Sequence, residues 1–380
     1  MSANCRLCQG DLFAEPVIEL PGMPKAAQFY PMVEEFRDDS GITLCIFRCV
    51  QCGLIQLNQE PVSYYKEVIT AASLSPKARD ARLREMREFV AAHDLIGKSI
   101  LELGSGNGGM LDVMNEAGMV ATGLEASAGS VRTGQELGRR MIAGYLNDFD
   151  RLPGAPYDAF ITLNFLEHVP ELDRMIQKIY SNTAAGAVGF VTVPNLEYLL
   201  ASRCYYEFVA DHVSYFTTAT LRFAFEKNGF EVLDCHTINN DNDILAIVRK
   251  RQPLSLAGQY REVEELIGEL RRIVGRYQAE NRKVAVWGAG HRTLALLALA
   301  NLTQIEFVID SAPFKQGRFT PVLHKLIVAP STLLSAGVGL VLVMVPGIYP
   351  AEVLNTIQTM KLDLDVAILR GNRIDFITGK

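Results

Sequence analysis

The sequence predicts an α/β protein: two open sheets of parallel type behind a small cysteine-rich module. Three observations point there. Two Cys-x-x-Cys pairs, Cys5/Cys8 and Cys49/Cys52, flank an alternating run near the start of the chain. The order strand, glycine turn, helix, strand, acid occurs over residues 99–125, and again over 283–310. The 380 residues also exceed one typical domain of ~100–200 residues. The expected division is 1–70, 71–254 and 255–380.

Composition narrows the function. Apolar residues make up 49% and charged residues 21%, as in an ordinary globular protein. A net charge of −6 argues against a broad phosphate-binding surface, so no nucleic-acid partner is expected. It leaves room for a local basic pocket. MSANCRLCQG lacks the charged-then-apolar pattern of a signal peptide. No run reaches the ~18–20 apolar residues of a membrane helix. GVGLVLVMVPGIYP is short, β-branched and bounded by Gly and Pro, and reads as a buried strand. A cytoplasmic protein with no membrane partner is the expectation. The sequence leaves the oligomeric state open.

In that reducing setting thiols stay free, which favours metal over disulfide. Cys5, Cys8, Cys49 and Cys52 offer four soft ligands, the set that suits tetrahedral zinc. Four cysteines would close the coordination sphere, so the ion would be structural. Cys45 alternates with apolar neighbours in ITLCIFRC and fits a strand better. Cys204 and Cys235 stand alone.

Residues 77–95 carry a charged helical pattern stopped by Gly97. Then SILELGSGNGGMLDVMNEAG runs from an apolar strand through Gly104, Ser105 and Gly106 into a helix. The next strand ends on Glu125, where a carboxylate can accept from ribose hydroxyls. A dinucleotide fingerprint would read GxGxxG. Here the run is GSGNGG, with Glu102 two residues ahead. That ExGxGxG pattern resembles motif I of the class I S-adenosylmethionine-dependent methyltransferases, whose fold is a Rossmann-like sheet. The likeness continues downstream over about 100 to 250. It places Asp148 and Phe149 beside the adenine, and Asn164 and Phe165 along the methyl-donor pocket. Glu167 and His168 lie just beyond.

After a charged helix, KVAVWGAGHRT repeats the strand and glycine turn, with Thr293 at the third glycine position and Asp310 ending the next strand. Alone this is a weak NAD signal. His291, Arg292, Lys315 and Arg318 gather near the crevice where open sheets bind ligands, and form a candidate diphosphate clamp.

Cysteine knuckles, methyltransferase core and C-terminal Rossmann-like domain, in this order, resemble the three-domain C-methyltransferases of nucleotide-linked keto-deoxysugars, including the 3-C-methyl-forming members. CRLC, CVQCGLIQ, ILELGSGNG, DHVSYFT with LRFAFEKNGFEV, and WGAGHRT with VIDSAPFKQGRFTPV carry the resemblance. It implies S-adenosylmethionine as donor, a nucleotide-sugar acceptor and a C-terminal domain for its nucleotide end. It also implies that Asp211, His212 and Tyr215 lie beside the transferable methyl, with Asp211 where the family commonly has Glu. The family's tyrosines after the zinc region correspond to Tyr64 and Tyr65, and Val68 stands where a second tyrosine is expected.

A C–H bond next to a ketone is acidic enough to yield its proton to a positioned base. His212 is the candidate base, since imidazole is largely neutral at pH 7. His168 is the second. Tyr215, Tyr64 or Tyr65 would hydrogen-bond the enolate oxygen. Asp211 would support His212, although neighbours on an extended strand face opposite ways. The rival readings are O- or N-methyl transfer, an NAD-dependent oxidoreductase and a noncatalytic binding module.

Overall fold

The computed structural model describes residues 4–26, 30–66 and 75–377; Val68 and the expected boundary at 70 lie outside them. The chain divides into two compact units, Met1–Pro253 and Leu254–Lys380. Among the described residues no helix is long and apolar enough to cross a membrane.

The strands of the first unit are β1 (Ile18–Met23), β2 (Ile42–Arg48), β3 (Ile55–Leu57), β4 (Ser99–Leu103), β5 (Val120–Glu125), β6 (Met141–Ala143), β7 (Tyr157–Leu163), β8 (Thr183–Pro194), β9 (Ser214–Tyr215), β10 (Phe230–Ile238) and β11 (Asp243–Lys250). Its first three helices are α1 (Pro76–Ala92), α2 (Gly109–Glu116) and α3 (Ala128–Glu136). Ser75 caps α1 by accepting from the Ala78 N–H, and Pro76 opens it with a preset φ.

A four-stranded antiparallel sheet runs β1-β2-β3-β9. Alternation in ITLCIFR buries Leu44 and Ile46 and leaves Cys45 half-buried. Its last strand comes from far along the chain: Ile55 pairs with Tyr215, and Gln56 with Ser214. The cysteine module is thus completed by a segment that follows the central sheet's strands β4–β8.

The central sheet runs β10-β11-β8-β7-β4-β5-β6. β8 through β6 are parallel, and β11 enters antiparallel between β10 and β8. β4 is buried on both faces, as a covered parallel sheet requires. The parallel strands end at one edge, so Leu103, Glu125, Leu163 and Pro194 arrive together at the mouth of a cavity.

The second unit places β14 (Ile327–Val328), β13 (Val308–Ile309), β12 (Lys283–Trp287), β15 (Val338–Val343), β16 (Asp365–Arg370) and β17 (Arg373–Ile377) in one sheet in that order. Only the β16–β17 pair is antiparallel. Every residue of β15 is buried, as its unbroken apolar run predicts. Strand order reverses at β12, which leads into a helix (His291–Ala300).

Packing across the central sheet is tight at Gly189. It lies opposite Phe160, and a Cβ there would sit 2.1 Å from the Phe160 ring. That ring is fully buried and packs against Phe225 and Phe230. Gly189→Ala should lower stability by about 1–3 kcal/mol through overpacking. The urea midpoint of the first unit's transition measures it, and an unchanged midpoint would show that the ring gives way freely.

Candidate functional site

The site begins with the glycine turn. Gly104 has φ +69°, and a Cβ on it would meet the Phe165 ring at 2.5 Å. Only glycine permits that approach. Glu125, at the tip of β5, accepts from the Gly106 N–H at 2.9 Å and the Ser127 N–H at 2.8 Å. Burial nonetheless raises its pKa. Glu102 is buried beneath the turn, and desolvation with the Glu125 charge lifts its pKa to about 8.

Gly104, Glu125, Tyr145, Asn164, Phe165 and His212 are among the residues lining a cavity of about 390 Å³. Leu163 and Pro194 complete the strand-end side. The Tyr145 hydroxyl is buried and has no hydrogen-bond partner among the described residues. A cradle that a Cβ would fill, a carboxylate at the second strand's tip and an orphaned hydroxyl fit a nucleoside-bearing donor.

Several expected donor residues stand beside this wall. In that stretch the lining is Gly144, Tyr145 and Leu146. Phe149 packs behind it, its ring 2.6 Å from where a Gly144 Cβ would be. Asp148 faces solvent and pairs with Lys66 at 3.2 Å. Ser105 is turned into the sheet beneath Gly123, so it supports the turn from below.

The Asp-His segment is a turn, which corrects the extended expectation. The His212 N–H donates to the Val209 carbonyl at 3.2 Å, and the strand starts only at Ser214. The segment is pinned from two sides: Leu57 N–H to Val213 O at 3.1 Å, and Val213 N–H to Glu167 O at 2.8 Å. Tyr215 belongs to this pinning. Its hydroxyl accepts from Val209 N–H at 3.0 Å and donates to Val209 O at 3.2 Å, so it holds the turn and is already occupied. This corrects its assignment to an enolate oxygen. The Tyr64 hydroxyl donates to the Asp211 carboxylate at 2.6 Å. Tyr65 instead packs edge-on against Tyr145.

His168 and His212 meet edge to face, 4.7 Å between centroids. The Asp211 carbonyl, 2.9 Å from His168 Nδ1, accepts its proton and leaves Nε2 the lone pair. Burial, with the neighbouring His168, lowers the His212 pKa to about 3. Burial lowers that of His168 as well. Both rings are therefore neutral at pH 7. Glu167 joins them, its Oε1 3.9 Å from His168 Nε2. Donor atoms of Glu167, His168 and His212 all lie within 4.8 Å of one another. Desolvation raises the Glu167 carboxyl to about 8.

Cys5 and Cys52 sulfurs are 3.5 Å apart, Cys8 and Cys49 3.4 Å, and all four lie within 4.8 Å. The thiols are free. Backbone N–H groups of Leu7 and Cys8 point at Cys5 Sγ, and those of Gln51 and Cys52 at Cys49 Sγ. Such donors favour thiolates, so the cluster is compatible with zinc.

In the second unit, His291 and Arg292 start the helix after β12, and Arg292 donates to the Gly371 carbonyl at 2.9 Å. Lys315 pairs with Asp310 at 2.9 Å, which removes it from a free clamp. Burial works to raise the Asp310 pKa, yet Lys315 and the Ala312 and Ala289 N–H groups leave it below the ordinary range. Arg318 sits on the adjoining turn, hydrogen-bonded through its backbone to Lys315 and Ile327. Glu167, Tyr145 and Ser214 were given no role from the sequence, although Glu167 stands beside His168 and Ser214 within the DHVSYFT stretch.

A family model described as a methyltransferase domain matches residues 77–234, and one described as a C-methyltransferase C-terminal domain matches residues 251–361. C-methyltransferase NovU of Streptomyces niveus is 23% identical over 361 residues, 84% of this chain and 83% of that protein. Among solved structures, the PH0226 protein from Pyrococcus horikoshii OT3 is 14% identical with a TM-score of 0.41, covering 50% of this chain and 98% of that one. Magnesium protoporphyrin IX methyltransferase (ChlM) from Synechocystis PCC 6803, with bound SAH, is 17% identical with a TM-score of 0.38, covering 45% and 83%. Motif, fold and family models together define an S-adenosylmethionine-dependent methyltransferase. More particularly, the two family models and the similarity to NovU support a place among the S-adenosylmethionine-dependent C-methyltransferases. The GAGHRT turn falls within the C-methyltransferase match, so the oxidoreductase reading is set aside.

Proposed function

We propose that the protein methylates a carbon next to the ketone of a nucleotide-linked 4-keto-deoxysugar, with His212 as the base. The observation that carries this is a neutral imidazole on the cavity wall of a C-methyltransferase. When bound, the donor supplies an electrophilic methyl on a sulfonium. Glu125 and the glycine turn would hold its ribose, and the Tyr145 hydroxyl would gain a polar partner. His212 takes the acceptor proton. The low pKa of its ring means that it gains a proton only while negative charge develops on the acceptor beside it. His168, fixed by the Asp211 carbonyl, keeps that ring in place. Tyr64 orients Asp211. In the second unit, the helix N-terminus at His291 with Arg292 suits a phosphate group.

The four cysteines are proposed to hold one structural zinc. Elemental analysis should find one zinc per chain. Its removal should abolish methyl transfer, because β9, which follows His212 directly, pairs with the cysteine module's β3. Full activity of zinc-free protein would contradict that role.

His212→Asn should cut turnover by about 10²–10⁴-fold while S-adenosylhomocysteine affinity stays unchanged. In the native protein, no rise in kcat/KM should appear as pH climbs through 6.5, because the ring is already neutral above about 3. Mass spectrometry of products from a panel of nucleotide-linked 4-keto-6-deoxysugars provides the assay. Near-normal turnover of the variant would remove His212 from the reaction.

A further inference from the structure

A second cavity, about 310 Å³, adjoins the first. The two share Asn164, Glu167, Pro194 and His212 as a common wall. The first has the glycine turn and Glu125 on its far side. The second has polar groups instead: Asn195, Tyr198, Glu207, Ser214 and Asp243. Two side-chain oxygens bordering it are buried with no hydrogen-bond partner among the described residues, Glu167 Oε2 and Ser214 Oγ. Glu167 is only 2% exposed and Ser214 fully buried. Leaving such atoms unmatched costs about 1–3 kcal/mol each. Neighbouring polar groups are by contrast committed. Asn164 accepts from Thr192 and donates to Asp243, and Asp243 also accepts from Asn239 at 2.6 Å.

We propose that this second cavity seats the acceptor's keto-bearing ring, and that Glu167 is a catalytic residue whose carboxyl donates a hydrogen bond to the keto oxygen. This rests on the carbon-methylating reading above. A donor at this position must carry a proton, and Glu167 meets that need. It is enclosed, with the neutral rings of His168 and His212 beside it and the Asp243 charge adding to the effect of burial, so it stays largely protonated up to about pH 8. Tyr215, packed on the same side, has its hydroxyl tied to Val209. Proton removal then balances within the wall. The acceptor C–H breaks, its proton goes to His212, and the electron pair moves into an enolate. The enolate's oxygen is held by the Glu167 O–H. Ser214 supplies a further partner for a ring hydroxyl.

Deuterium uptake at the acceptor carbon isolates this step from methyl transfer. The full-length protein is saturated with S-adenosylhomocysteine in D2O and given the panel of nucleotide-linked 4-keto-6-deoxysugars. The native protein should exchange one C–H beside the ketone. Glu167→Ala should slow that exchange by about 10²-fold with S-adenosylhomocysteine affinity intact, the scale of losing one oxyanion donor. Glu167→Gln keeps an N–H donor and should stay within about tenfold of native. It should also lose the fall in rate that the native protein shows as pH rises through about 8. If the alanine variant does not fold, that alkaline limb decides alone. Native-rate exchange by Glu167→Ala, or an unchanged limb in Glu167→Gln, overturns the assignment. No exchange by the native protein with any sugar of the panel overturns the enolate reading and this assignment with it.

Discussion

The backbone clamp on residues 209–216 positions everything else in the site. Leu57 and Glu167 grip Val213 from opposite sides, and the Leu196 N–H bonds the Phe216 carbonyl at 2.8 Å. Each bond is modest alone, but together they fix a turn that side-chain packing would not specify. The clamp depends on β3, and β3 depends on the cysteine module. Buried Arg6, one residue after a cysteine, donates to the carbonyls of Leu57, Gln59 and Pro170, and its own N–H bonds the buried Gln56 side chain at 2.8 Å. The knuckles, although distant from the donor cavity in sequence, are therefore part of how His212 is aimed.

Desolvation is the second constraint. It holds two imidazoles neutral and lifts two carboxyls, Glu102 and Glu167, into the range where they keep a proton. A pair of neutral histidines beside a protonated carboxyl suits enolate chemistry, since a base and a hydrogen-bond donor coexist at one pH. In water the Glu167 carboxyl would be ionised at pH 7 and the two imidazoles only partly neutral.

Much of the fold was legible because it rests on local rules. Glycines at positive φ, an acid at a strand tip and doubled cysteine pairs mark their places whatever surrounds them. The buried β15 announced itself through an unbroken apolar run. The site was legible less fully. His212 and Asn164 line the cavity, but the turn that presents His212 comes from pairing with residues about 160 positions earlier, which no local pattern encodes. Tyr215 looked reactive because its type suits catalysis, and only geometry revealed its hydroxyl tied to Val209. Asp148 and Phe149 stand slightly past the cavity wall because the chain turns into it earlier, at Gly144. The orphaned oxygens of Glu167 and Ser214 are properties of burial, invisible before folding.

The central claim is that the donor lies between the Gly104 turn and His212, with the acceptor across the wall. A crystal structure with S-adenosylhomocysteine tests it most directly. Ribose hydroxyls should bond the Glu125 carboxylate, and the thioether sulfur should lie on the side facing His212. A ligand lodged elsewhere, or an imidazole at residue 212 turned away from the sulfur, would contradict it.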